Sequence, residues 1–84
     1  MSRTISSTVL PIQRAMAGAT PKAWRDGLVL QASGTQIDVA FLDGSIARLG
    51  VFEALALTAG EPVAFHPVAE ILDARQIATT ARVA

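Results

Sequence analysis

The fold is decided in residues 27–49, GLVLQASGTQIDVAFLDGSIARL, where apolar and polar residues alternate with a period of two and short turn-forming pairs interrupt the pattern twice. Ile37, Val39 and Phe41 share one face of an extended segment over residues 35–42, and Gln36, Asp38 and Ala40 occupy the other. Residues 28–32 read as the strand before it, joined through a tight turn at Ser33-Gly34. Asp43-Gly44 is the strongest hairpin signal in the chain, because a type I′ turn needs positive φ at both central positions and this dipeptide tolerates it. Residues 45–49 then form the third strand of a meander.

Beyond the meander Gly50 breaks the strand, and residues 51–59 have helix-forming composition with Gly60 placed as a C-terminal cap, predicting a short helix across one end of the barrel. Val63 and Phe65 share a face of a fourth strand over residues 63–66, which Pro67 ends. Residues 68–75 admit a helical reading, with Val68, Ile71 and Leu72 on one side. Ile77, Thr79, Ala81 and Val83 alternate as a strand should, and the fifth strand is predicted over residues 76–83. On the N-terminal side, Pro11 opens a short helix ending at Gly18, and Thr20-Pro21 starts a helical turn that Gly27 closes. The expected architecture is all-β: a small five-stranded barrel over residues 21–84 with one or two short helices, preceded by a basic arm over residues 1–20. Its expected core faces carry Ile37, Val39, Phe41, Val63, Phe65 and Val83, and Phe52 is read as core as well.

A chain of 84 residues holds one such core and not two. It has no cysteine, so disulfide frameworks, thiolate catalysis and cysteine-containing zinc patterns are excluded. A hydrophobic fraction of 51% and a mean hydropathy of +0.44 supply the burial that a small domain without such staples requires. Much of that content is Ala and Val, too small for a thick core, which points to a partly apolar surface and to self-association. No run approaches the roughly 18 apolar residues of a membrane helix, so no membrane partner is expected. Ala17-Gly18-Ala19 resembles a signal cleavage site, but Ser6, Ser7, Thr8, Gln13 and Arg14 interrupt the apolar region one would need. An acid-free start containing Ser and Arg also suits an organelle transit peptide or a plain flexible terminus; the expected setting is cytoplasmic.

Net charge is zero, yet Arg3, Arg14, Lys22 and Arg25 all precede the first acid, Asp26, while acids outnumber bases afterwards. These four bases, together with Trp24, are the candidate interaction residues. The basic arm is expected to dock on the acidic barrel of another copy or of a partner protein. Trp24 has two readings, a contact residue or a plug for one end of the barrel.

Three meandering strands, a short helix and two further strands is the order of an OB-type barrel, and an SH3-like barrel presents nearly the same pattern. Gly27-Leu28-Val29, residues 39–44 (VAFLDG) and residues 60–65 (GEPVAF) resemble the matching stretches of cold-shock and S1-like domains. The chain is also similar to OB domains appended to transporter ATPases, with Pro67-Val68-Ala69-Glu70 standing at their Pro-x-x-Glu-like turn. Cold-shock and S1 resemblance implies aromatic and basic residues on the second and third strands. Here Gln36, Asp38 and Ala40 face outward and the chain has no Tyr, so the stacking platform for single-stranded nucleic acid is missing.

The chemistry-bearing residues are sparse. His66 is the only histidine, flanked by Phe65 and Pro67, and reads as structural or solvated; it supplies neither a Ser-His-Asp set nor a metal-ligand spacing. Asp26 and Asp43 each precede Gly, where turn hydrogen bonding accounts for them. Asp43-Gly44-Ser45 resembles the start of the Asp-x-Ser-x-x-Gly element of cyclic-dinucleotide-binding barrels, but Arg48 stands where that element needs Gly. No catalytic residue, metal or cofactor is assigned. The expected function is a non-enzymatic binding or adaptor module working through protein contacts and self-association, with weak single-stranded nucleic-acid binding as the alternative.

Overall fold

The computed structural model describes residues 9–75 and 77–84. A nine-residue helix, α1 (Pro11–Ala19), and a single 3₁₀ turn (Pro21–Ala23) lead into β1 (Arg25–Ser33), β2 (Gln36–Phe41), β3 (Ile46–Val51), β4 (Pro62–His66), β5 (Ile71–Ala74) and β6 (Ile77–Val83). The strands close into an antiparallel barrel in the order β1-β2-β3-β6-β5-β4. It is thus two three-stranded meanders joined along two seams, β1 with β4 and β3 with β6. The all-β barrel expected from the sequence is present at the level of a small OB-like barrel, with six strands in place of five.

Alternation explains why the barrel fills as it does. Val29, Ile37, Val39, Leu49, Phe65, Leu72 and Ala81 are almost wholly buried, and Phe41, Val51, Val63 and Ala74 complete the core around them. Phe41 and Phe65 stack at its centre with ring centroids 6.3 Å apart. Five of the six expected core residues are buried. Val83 is not buried: it shares the face of Thr79 and Ala81 and pairs with the buried Leu49, but as the last residue of β6 it is left 62% exposed.

The helix expected at residues 51–59 is absent. Val51 ends β3, and the following segment is an irregular loop, with Leu55 and Leu57 packed against the core and their neighbours exposed. A period of two brings both leucines to the barrel end, whereas a helical period would turn one of them away. Phe52, read as core on the strength of that helix, is 67% exposed. Residues 68–75 are likewise not helical. They form a turn and then β5, because Glu70 and Arg75 adopt left-handed φ values of 58° and 53° that a helix cannot contain.

Turn chemistry departs from expectation in two places. Only Gly44 has positive φ (91°) at the β2–β3 hairpin, so the connection is not a type I′ turn. The Gly44 amide donates to Phe41 O and the Phe41 amide to Ser45 O, giving a longer loop with glycine alone in the left-handed position. Gly27 does not close a helical turn either; it lies inside β1. A Cβ there would stand 2.7 Å from Ala40 O and 2.8 Å from Val39 Cγ1, so no side chain fits where β1 crosses β2.

Candidate functional site

The sequence-selected interaction residues do not converge. Arg3 lies outside the described residues. Arg14 is exposed on α1 and Lys22 is exposed in the 3₁₀ turn. Arg25 opens β1, where its Nη2 donates to Asp43 Oδ2 (2.9 Å) and Ser45 Oγ (2.7 Å) while its guanidinium lies 4.0 Å from the centre of the Phe41 ring. Its charge is therefore already matched by the hairpin it braces. Trp24, one residue earlier, turns into a different cluster and meets His66 edge-on at 5.1 Å. It packs with Val9, Ala17, Ala69 and Ile71 in a second apolar cluster, separate from the barrel core.

His66 holds this second cluster together. It is fully buried, its Nδ1 accepts the Ala69 amide at 3.0 Å, and that acceptor role places the ring proton on Nε2, which donates to Thr20 O at 2.9 Å. The Thr20 hydroxyl lies 3.1 Å from the same nitrogen and donates to Met16 O. Gln13 performs the matching task at the other side of α1. Its amide nitrogen donates to Ala69 O and Glu70 O, and its oxygen accepts from the Leu10 amide and the Thr80 hydroxyl. Residues 9–20 of the expected arm are thereby docked on their own barrel. Sequence reasoning missed Gln13 because an isolated glutamine in a short helix carries no signal of what it will reach.

The outer surface of the first meander is apolar in one row and ion-paired in the next. Leu28 pairs with Ala40 and with Pro62, and Ala40 pairs with Ile46, which sets Pro62, Leu28, Ala40 and Ile46 side by side across four strands. Leu28 and Ile46 are 46% and 67% exposed. The neighbouring row is Gln31, Asp38 and Arg48, in which Arg48 Nε donates to Asp38 Oδ1 at 2.9 Å and Gln31 donates to Oδ2. Arg48, which takes the place of the glycine in the cyclic-dinucleotide element, is occupied by this bridge. Asp43 Oδ1 in turn accepts both the amide and the hydroxyl of Ser45.

These contacts set the acid response. Asp38 is held below the usual carboxylate range chiefly by the Arg48 hydrogen bond, Asp43 by Ser45, and Glu61 by its pairing with Arg75. Carboxyls whose folded pKa lies below the unfolded one stabilise the fold above the ordinary range and lose that contribution as pH falls through the folded values. The melting temperature should therefore hold from pH 7 to about 5 and decline below about 4.5, less steeply in high salt because all three pairs are on the surface. A melting temperature that stays flat down to about pH 3 would contradict the bridges.

Among the described residues no group of three or more His, Asp or Glu side chains is placed to hold a metal ion, and no helix is long and apolar enough to cross a membrane. Comparison with protein-family models, with curated proteins and with solved structures finds no match for this chain.

Proposed function

We propose that this barrel is a non-enzymatic binding or adaptor module that works through protein contacts, self-association among them. The observation that carries the reading is the outer surface of the first meander and the adjoining start of β4. Its outward row of Pro62, Leu28, Ala40 and Ile46 is apolar, and the basic groups beside it, Arg48 and Arg25, are each bound to an aspartate of the same barrel. A surface of that kind favours another apolar protein surface, since apolar area gives affinity and charges matched in place give no attraction to a polyanion.

The competing reading is the single-stranded nucleic-acid module of cold-shock and S1-like domains. Such domains read bases by stacking them on aromatic side chains over a positive groove. The outward rows of β1, β2 and β3 offer Leu28, Ala40, Ile46, Gln31, Asp38 and Arg48 in those places. Titration of labelled single-stranded DNA and RNA followed by fluorescence anisotropy separates the two readings. At physiological salt the expected dissociation constant is about 10⁻⁴ M or weaker, the non-specific range. Micromolar binding with amide shifts concentrated on β2 and β3 would overturn the protein-contact reading.

A further inference from the structure

A cleft of about 380 Å³ lies where α1 meets the second meander, with walls that include Leu10, Met16, Phe52, Val68, Glu70 and Arg82. A second hollow of about 240 Å³, between the ends of β3 and β6, shares Phe52 and Arg82 with the first. Phe52 is thus a ridge between two hollows, with its ring 67% exposed, and Leu10 and Val68 beside it are 58% and 51% exposed. An exposed aromatic between two hollows, with exposed apolar side chains beside it and polar groups in the wall, has the make-up of a contact surface.

The charges on this surface favour a second copy of the chain as its occupant. Glu70 and Arg82 sit together in the wall, 3.3 Å apart, with their side chains 42% and 69% exposed. This looser and more open contact contrasts with the 2.9 Å bridges of Arg25 and Arg48. A surface that carries one positive and one negative group side by side, with a projecting ring beside a hollow, is complementary to itself under a two-fold rotation. A polyanion or polycation would meet one matching and one opposing charge there.

We propose that this ridge-and-hollow surface is a two-fold interface with a second copy of this chain, in which Phe52 of each copy fills the hollow of the other and Arg82 of each pairs with Glu70 of the other. The inference rests on the protein-contact reading above and assigns its self-association to one face. It leaves the row of Pro62, Leu28, Ala40 and Ile46, which runs from β4 across the first meander, outside the dimer. Docking of α1 by Gln13 and His66 is a precondition, because α1 supplies Leu10 and Met16 to the wall.

Sedimentation velocity and native mass spectrometry of the whole chain provide the test. The wild-type chain should show a concentration-dependent dimer. Phe52→Ser, Arg82→Glu and Glu70→Arg should each raise the dimer dissociation constant about tenfold or more, since each removes the central anchor or places like charges across the dyad. The Arg82→Glu and Glu70→Arg chains carry opposite pairs of charges, so mixing the two should restore a dimer containing one of each. All three positions are exposed, so amide spectra and far-ultraviolet circular dichroism that match the wild type separate loss of association from loss of fold. A wild-type dimer indifferent to all three substitutions would overturn this interface and leave self-association standing. A wild-type monomer at every concentration would overturn the self-association reading itself, and single variants that weaken the dimer without recovery on mixing would overturn the reciprocal pairing.

Discussion

Phe65→Ala is expected to lower the unfolding free energy by about 3–5 kcal/mol, read as a large fall in the midpoint of urea denaturation. Phe65 is 2% exposed on β4 and stacks on Phe41 of β2, so its ring joins the two meanders across the core. Truncation removes its apolar burial and leaves a void between strands whose backbones are fixed by pairing on both sides, β1 and β5 in the case of β4. A barrel of this size has roughly 4–13 kcal/mol of stability to lose, by the usual per-residue range, so the variant is expected to be substantially unfolded at 37 °C. Phe52→Ser is the control: the same residue type, exposed, should leave the midpoint nearly unchanged when both chains are measured at concentrations where they are monomeric. Equal shifts for the two would refute the assignment of which phenylalanine fills the core.

His66→Ala is expected to produce the second largest loss. Removing the ring strands the buried Ala69 amide, which donates to Nδ1, and takes away the donor that Thr20 O accepts. An orphaned buried amide costs about 1–3 kcal/mol by itself, and the void beside Trp24 adds to it. The loss should be uneven. Amide exchange should accelerate first in α1 and in the turn over residues 67–70, because these are the parts that His66 ties to the barrel, while β1, β2 and β3 keep their protection. Global loss of protection with no prior change in α1 would show that His66 is part of the central core and not the fastener of a separate cluster.

The first meander was legible because it obeys local rules. Residues 36–41 alternate cleanly, Ile37, Val39 and Phe41 are inward as read, and glycine marks both of its turns. The second meander broke those rules. β5 is only four residues long and is bracketed by Glu70 and Arg75 in left-handed conformations, positions where glycine or asparagine would have announced a turn. Their backbone is held by long-range bonds: the Glu70 carbonyl accepts the Ala81 amide and the Gln13 side chain, and Arg75 is anchored to Glu61. No window of sequence contains those partners. The segment 51–59 misled for a related reason, since Ala and Leu favour a helix in isolation but Leu55 and Leu57 gain more by facing the barrel end together.

The candidate surfaces were less legible than the fold. Trp24 and Arg25 are adjacent in the chain and were grouped for that reason, yet they belong to opposite sides of a strand start and to unrelated contacts. Phe52, Glu70 and Arg82 are far apart in sequence and meet only when the second meander closes on the first. The outward row of Leu28, Ala40 and Ile46 was half visible, because Ala40 could be placed on the outer face of β2, but its neighbours depend on a register shift at Leu30 that alternation does not reveal.

Closure of the barrel has a consequence for how the chain reaches its native state. Pairing within each meander is between neighbours in sequence and carries little loop-closure entropy, whereas the two seams join strands far apart in the chain, β1 and β4 across residues 34–61 and β3 and β6 across residues 52–76. Each meander, before the seams form, offers two bare strand edges, β1 and β3 on one and β4 and β6 on the other. Such edges are templates for pairing with any other chain, and here they are flanked by exposed valine, leucine and isoleucine. The short β3–β6 seam of Leu49, Gly50 and Val51 with Val83, Arg82 and Ala81 is consequently a guard against misassembly as well as a source of stability, and the interval before it zips is when a crowded solution of this protein is most exposed to aggregation.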